Sequence, residues 1–157
     1  MRSIMAAIFI AFIASPALAQ DKVSQIGSWI TECKIDRMTN KRVCDVLTNF
    51  VSRAEPNYDL KFFYNISTKK FMGTGIPAPT RIRVKVDSNE LFSLDVCTNT
   101  ICTLLKTSDN ARLLRQMREG STVMLEFSGY AKMPDPSTVS LSGFDAMYQL
   151  SLAGTIK

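Results

Sequence analysis

The chain contains no histidine and only one tryptophan, and it carries 7 glycines and 6 prolines in 157 residues. The missing imidazole excludes Ser-His-Asp and Cys-His catalysis, histidine-ligated zinc and histidine-based pH switching. A Walker loop and a G-x-S-x-G elbow are also lacking, which removes two common routes to phosphoryl transfer and serine acylation. Acidic residues are the minority, 14 against 19 Lys plus Arg, for a net charge of +5. That excess is thin over the length of the chain, whereas neutralising several phosphates needs a concentrated basic surface. Nucleic acid is therefore not an expected partner. The residues favour neither an enzyme nor a bound cofactor or metal.

Long hydrophobic runs are absent except at the start. Met1–Ala19 reads MRSIMAAIFIAFIASPALA. Arg2 is a positive n-region, Ile4–Ala14 is an apolar stretch, and Ala17-Leu18-Ala19 ends on small residues suited to a signal peptidase. Pro16 interrupts the run below the roughly 20 residues needed to span a bilayer. The reading is a cleaved signal peptide over 1–19 and one domain over 20–157, with no transmembrane segment after cleavage. Without the leader, the apolar fraction falls to about 41%, ordinary for a soluble domain.

Export changes the meaning of the four cysteines, Cys33, Cys44, Cys97 and Cys102. In an oxidising compartment an even set forms disulfides, and four cysteines allow three connectivities. Their clustering favours Cys33–Cys44 and Cys97–Cys102, each bracketing a polar insert. The first insert, KIDRMTNKRV, holds Lys34, Arg37, Lys41 and Arg42 against Asp36 alone. Stapled at its base, it is the candidate contact for an anionic lipid, glycan or protein surface. Trp29, four residues before Cys33, is expected in the core.

Period-2 alternation is cleanest at Arg81–Val86, with Ile82, Val84 and Val86 on one face and Arg81, Arg83 and Lys85 on the other. Glu90 or Asp95 on a neighbouring strand is expected to pair with that basic face. Further strands are predicted at Ile26–Glu32, Arg42–Val51, Leu60–Ile66, Leu91–Val96 and Thr122–Ser128. Gly73, Gly75, Pro77 and Pro79 are read as a break in the chain. A helix is expected from Ser108 or Asp109 as cap to Gly120 as a left-handed C-terminal residue. Phe144–Leu150 is compatible with a helical turn or a last strand. The pattern gives a mainly β chain, a β-sandwich with one or two short helices and two disulfides.

Three segments resemble the invasion-associated locus B proteins of bacteria. They are GSWITEC at Gly27–Cys33 with Cys44, the Cys97–Cys102 pair followed by the Leu113–Gly120 helix, and VSLSGFDAM at Val139–Met147. The resemblance implies an immunoglobulin-like β-sandwich in the periplasm or on the outer surface of a Gram-negative cell. It also implies a non-enzymatic role that binds a partner in host-cell interaction and invasion or in envelope integrity, and it transfers no catalytic residue. The alternative is a housekeeping periplasmic module that binds a protein or glycan and has no role in virulence. Replacing all four cysteines by serine is expected to lower thermal stability sharply, each short loop contributing about 2–3 kcal/mol. Unaltered melting of that variant would contradict the disulfide reading.

Overall fold

The computed structural model describes residues 23–51, 59–76, 78–129 and 136–156; the segment Met1–Ala19, expected to be a leader, and Pro77 lie outside them. Eleven strands and two helices form in this span: β1 (Ser24–Ile26), β2 (Trp29–Asp36), β3 (Lys41–Val51), β4 (Asp59–Asn65), β5 (Lys70–Ile76), β6 (Arg81–Val86), β7 (Leu91–Leu94), β8 (Val96–Thr98), β9 (Ile101–Thr103), α1 (Thr107–Glu119), β10 (Thr122–Ser128), β11 (Ser137–Ser140) and α2 (Phe144–Ile156). A seven-stranded sheet in the order β1-β2-β3-β4-β5-β9-β8 faces a four-stranded sheet in the order β11-β10-β6-β7. All the pairings are antiparallel. The expected mainly β sandwich with one or two helices and two disulfides is the architecture formed, and the helices are two.

Alternation dictates which face each strand buries. In β4, Leu60, Phe62 and Tyr64 turn inward, and in β6 Ile82, Val84 and Val86 do the same. Both sets join one hydrophobic cluster with Val123, Leu125 and Phe127 of β10. The chain does not break at Gly73 and Gly75, because β5 runs through both. Gly73 opposes Phe62 on β4, and a Cβ there would lie 2.2 Å from Ile82 Cδ1 of the facing sheet. The glycine serves close approach of two sheets rather than a turn.

The large sheet is wider than the small one, and α2 covers the part left over. Trp29, fully buried, meets the Phe144 ring edge-on at 4.8 Å and donates from Nε1 to the Ser140 carbonyl at 2.8 Å. Thr31 Oγ1 donates to the Met147 carbonyl and accepts from Ser151 Oγ, so the buried polar groups in this interface are satisfied. Segment 144–150 is thus helical, and α2 continues to Ile156. Apolar side chains around much of its circumference suit a helix buried between other elements.

Helix α1 is tied to the sheet by Asn110, which is 2% exposed. Its Oδ1 accepts from the Phe71 N–H at 2.7 Å, and its Nδ2 donates to the carbonyls of Leu104 and Lys106. Both expected helix caps are corrected. Lys106 occupies the N-cap with no side-chain bond, and Gly120 is extended (φ −81°, ψ 175°). Gly120 is needed for space, since a Cβ would lie 2.5 Å from Val86 Cγ1. The basic face of β6 is corrected too. Arg83 pairs with Glu126, its direct cross-strand neighbour on β10, while Glu90 pairs with Arg112 of α1.

Gly73→Ala should therefore cost about 1–3 kcal/mol through overpacking at the sheet interface. Ile82→Val in that background should recover part of the loss, as read by urea denaturation. Equal stability of parent and Gly73→Ala would show that the interface has slack.

Candidate functional site

The four basic candidates lie on one β-hairpin. Strands β2 and β3 pair from Ile30↔Leu47 to Asp36↔Lys41, so the sequence between the cysteines is mostly strand with a turn at 37–40. Cys33 and Cys44 are direct cross-strand neighbours with Cα atoms 4.0 Å apart, and their disulfide staples the hairpin partway along. Its sulfurs are covered by the end of α2. A Cβ on Gly154 would sit 3.0 Å from Cys44 Sγ and 3.3 Å from Cys33 Sγ. The second disulfide, Cys97–Cys102, joins neighbours in the β8–β9 hairpin at the far edge of the same sheet.

The turn is built by Asp36 and Asn40. Asp36 Oδ1 accepts from the N–H groups of Met38 at 2.8 Å and Thr39 at 3.0 Å. Asn40 takes the left-handed conformation at φ 53°, a position asparagine tolerates better than most residues. The bonds from Thr39 and Met38, aided by the nearby Lys34 charge, hold the Asp36 carboxyl below its ordinary value of 3.8. The one acid of the insert is thus committed to its own turn.

Parity divides the basic residues between two faces. Lys34 and Lys41 project on the side away from α2, and Arg37 is exposed in the turn. Arg42 shares the inward parity of Cys44. It lines a small cavity of about 200 Å³ with Ser24, Cys33, Leu150 and Gly154. Lys34, Arg37 and Lys41 are therefore outward cations, while Arg42 is half-buried near the end of α2. Helix C-termini carry partial negative charge, and a cation there is favourable.

Residues that sequence reasoning did not single out complete the tip. Met38 is 95% exposed and Ile35 is 46% exposed, both within the insert read as polar. Their visible signal was two large apolar residues among four cations. Trp29 takes the predicted core position.

Two further concave regions exist among the described residues. One, of about 230 Å³, lies between the helices and is walled by Tyr64, Ile66, Ala111, Leu114, Tyr148 and Leu152, with Lys69 at its margin. Burial pushes the Tyr64 hydroxyl up to about 12, so it stays protonated and able to donate. The other, of about 350 Å³, brings Glu90 and Asp109 together with Arg112, which pairs with them at 3.4 and 2.8 Å. Among the described residues, no group of three or more Cys, Asp or Glu side chains is placed to hold a metal ion. No helix among them is long and apolar enough to cross a membrane. No protein-family model, curated protein or solved structure matches the chain.

The depressed Asp36 value gives a signed expectation. A carboxylate whose folded pKa is lowered supports the turn fully above the ordinary value of 3.8, and that support is lost as pH falls through the lower folded value. In an NMR titration, the Met38 and Thr39 amide shifts should hold steady above that ordinary value and move together below it. Movement centred at or above it would contradict the proposed hydrogen bonding.

Proposed function

We propose that this chain is an exported, non-enzymatic envelope protein that uses the stapled β2–β3 hairpin to contact an anionic surface, in host-cell interaction or envelope integrity. One observation carries the reading. The hairpin presents Lys34, Arg37 and Lys41 to solvent around the 95% exposed Met38, while Asp36 is bound to its own turn. Cations give long-range attraction to a negative surface, and an apolar side chain at the apex adds short-range burial once contact is made. The Cys33–Cys44 bond and the helix packed over it make the projection stiff, so little conformational entropy is lost on binding. The resemblance to invasion-associated locus B proteins supports the cellular setting, and the leader supports export.

The cavity between α1 and α2 favours a second reading, a housekeeping periplasmic module for a protein or glycan. Tyr64 and Tyr148, with ring centroids 6.0 Å apart, offer the flat surfaces and hydroxyl groups that such ligands use. A pull-down from periplasm separates the two. A stoichiometric, salt-resistant partner supports the cavity, and a salt-sensitive association supports the hairpin.

The direct test changes Lys34, Arg37, Lys41 and Arg42 together to glutamine and measures sedimentation with vesicles of anionic phospholipid across a salt series. With about 1 kcal/mol for each cation near such a surface, the variant should lose about 3–4 kcal/mol of binding. The parent should weaken steadily as salt rises. Unchanged binding by the variant, or parent binding indifferent to salt, would overturn the hairpin assignment.

A further inference from the structure

A cleft opens between the two helices. Thr107, Ala111 and Leu114 stand at i, i+4 and i+7 of α1, so one stripe of that helix faces it. Tyr148 and Leu152 stand at i and i+4 of α2, and Tyr64 and Ile66 close the floor where β4 ends. Ala111 is the smallest side chain of the wall and is exposed, so the cleft meets solvent there. Its volume is about 230 Å³. A cavity of roughly 150 Å³ already admits benzene, so a single ring with a short tail fits.

The polar side chains of the cleft can all donate, and none is an acid. Tyr64 is 5% exposed, and among the described residues nothing hydrogen-bonds its hydroxyl. The oxygen is not one of the unpartnered side-chain atoms sealed off from solvent, so it meets the open space of the cleft. Burial, with the Tyr148 hydroxyl as the lesser cause, pushes it up to about 12 and keeps its proton in place. The Tyr148 hydroxyl also lacks a partner among the described residues, and Arg118 lies over its ring at 5.0 Å. Thr107 opens α1, and Lys106 at the N-cap makes no side-chain bond to the first N–H groups of the helix. Lys69 adds an ammonium at the margin, with no carboxylate partner among the described residues. Its φ of 55° is left-handed, a conformation that the other non-glycine residues to adopt it, Asn40, Asp87 and Asn99, tolerate better. Glycine would sit there with less strain, and lysine keeps a cation beside the cleft instead.

We propose that this cleft binds a small monocarboxylate whose apolar body is the size of one ring. The carboxylate accepts from the Tyr64 and Tyr148 hydroxyls and lies toward Lys69, while the ring packs on Ile66, Leu114 and Leu152. One cation among the lining residues matches a single negative charge better than the nearly double charge of a phosphate ester. A sugar fits less well. Its hydroxyls donate as well as accept, and no carboxylate or amide side chain lines the cleft to receive them. The acid nearest in sequence, Asp109 in the first turn of α1, lines the other cavity and pairs with Arg112. The proposal goes beyond the second reading of this cavity, putting a small acid in place of a protein or glycan. It shares no residue with the hairpin contact.

Phenylacetate is the probe, and phenylacetamide is its neutral counterpart. The protein is produced from its full coding chain, recovered from the periplasm of a Gram-negative host, and titrated while its amide NMR shifts are followed. Circular dichroism confirms that each variant is folded. Phenylacetate should give saturable shifts confined to residues 64–69, 107–114 and 148–152, with a dissociation constant of about 0.1–1 mM for so small a ligand. Phenylacetamide should bind about tenfold more weakly, since the ring is kept and the charge is lost. Tyr64→Phe should weaken phenylacetate about tenfold, and Lys69→Gln should remove most of the salt dependence of its binding. Ala111→Leu, an exposed change that suits a helix, should abolish binding by filling the cleft. No saturable shift up to about 20 mM, or equal binding of acid and amide, would overturn the proposal. So would Tyr64→Phe and Ala111→Leu variants that bind like the parent. Shifts of the same residues by N-acetylglucosamine, with phenylacetate inert, would overturn the acid and favour the glycan. Each of these results would leave salt-sensitive vesicle binding by the hairpin standing.

Discussion

Helix α2 closes the half of the large sheet that the small sheet is too narrow to reach. Strands lie about 4.8 Å apart, so a four-stranded sheet cannot shield a seven-stranded one. The Trp29–Phe144 contact and the Thr31 bonds to Met147 and Ser151 fix the helix on β2 and β3. Trp29 also reaches the Ser140 carbonyl of the small sheet, so one side chain joins both sheets and the helix. Without that seat, the inward faces of β2 and β3 would be open to water and the hairpin would have no fixed base.

The consequences run outward from there. The end of α2 rests on the Cys33–Cys44 sulfurs through Gly154, where no side chain would fit without displacement. Beyond the disulfide the hairpin leaves the body of the protein, and its side chains change from core to surface. Charge, exposed apolar area and stiffness meet at one projection for that reason. The projection is set by the register of β2 on β3, which the disulfide pins.

Much of this was legible in the sequence. Alternation at Arg81–Val86 gave β6, the cysteine clusters gave both staples, and Thr122–Ser128 gave β10. What stayed hidden depended on distance between segments far apart in the chain. Gly73 looks like a breaker until Ile82 is seen above it, and Gly120 looks like a left-handed cap until Val86 is seen beside it. Segment 144–150 has apolar residues compatible with either period, and only the space over β2 and β3 selects a helix. The basic cluster was readable as a set, but strand parity puts Arg42 and its cross-strand partner Ile35 on the inward-facing side of the hairpin, and the turn leaves Met38 exposed.

The central claim is that contact with an anionic surface is made by the hairpin and by no other part of the fold. Hydrogen exchange of the protein, alone and on anionic vesicles, reads this segment by segment. The account predicts slowed exchange confined to residues 34–42, reversed by raising salt. Protection spread over the helices, or none in 34–42 while the protein is bound, would contradict it.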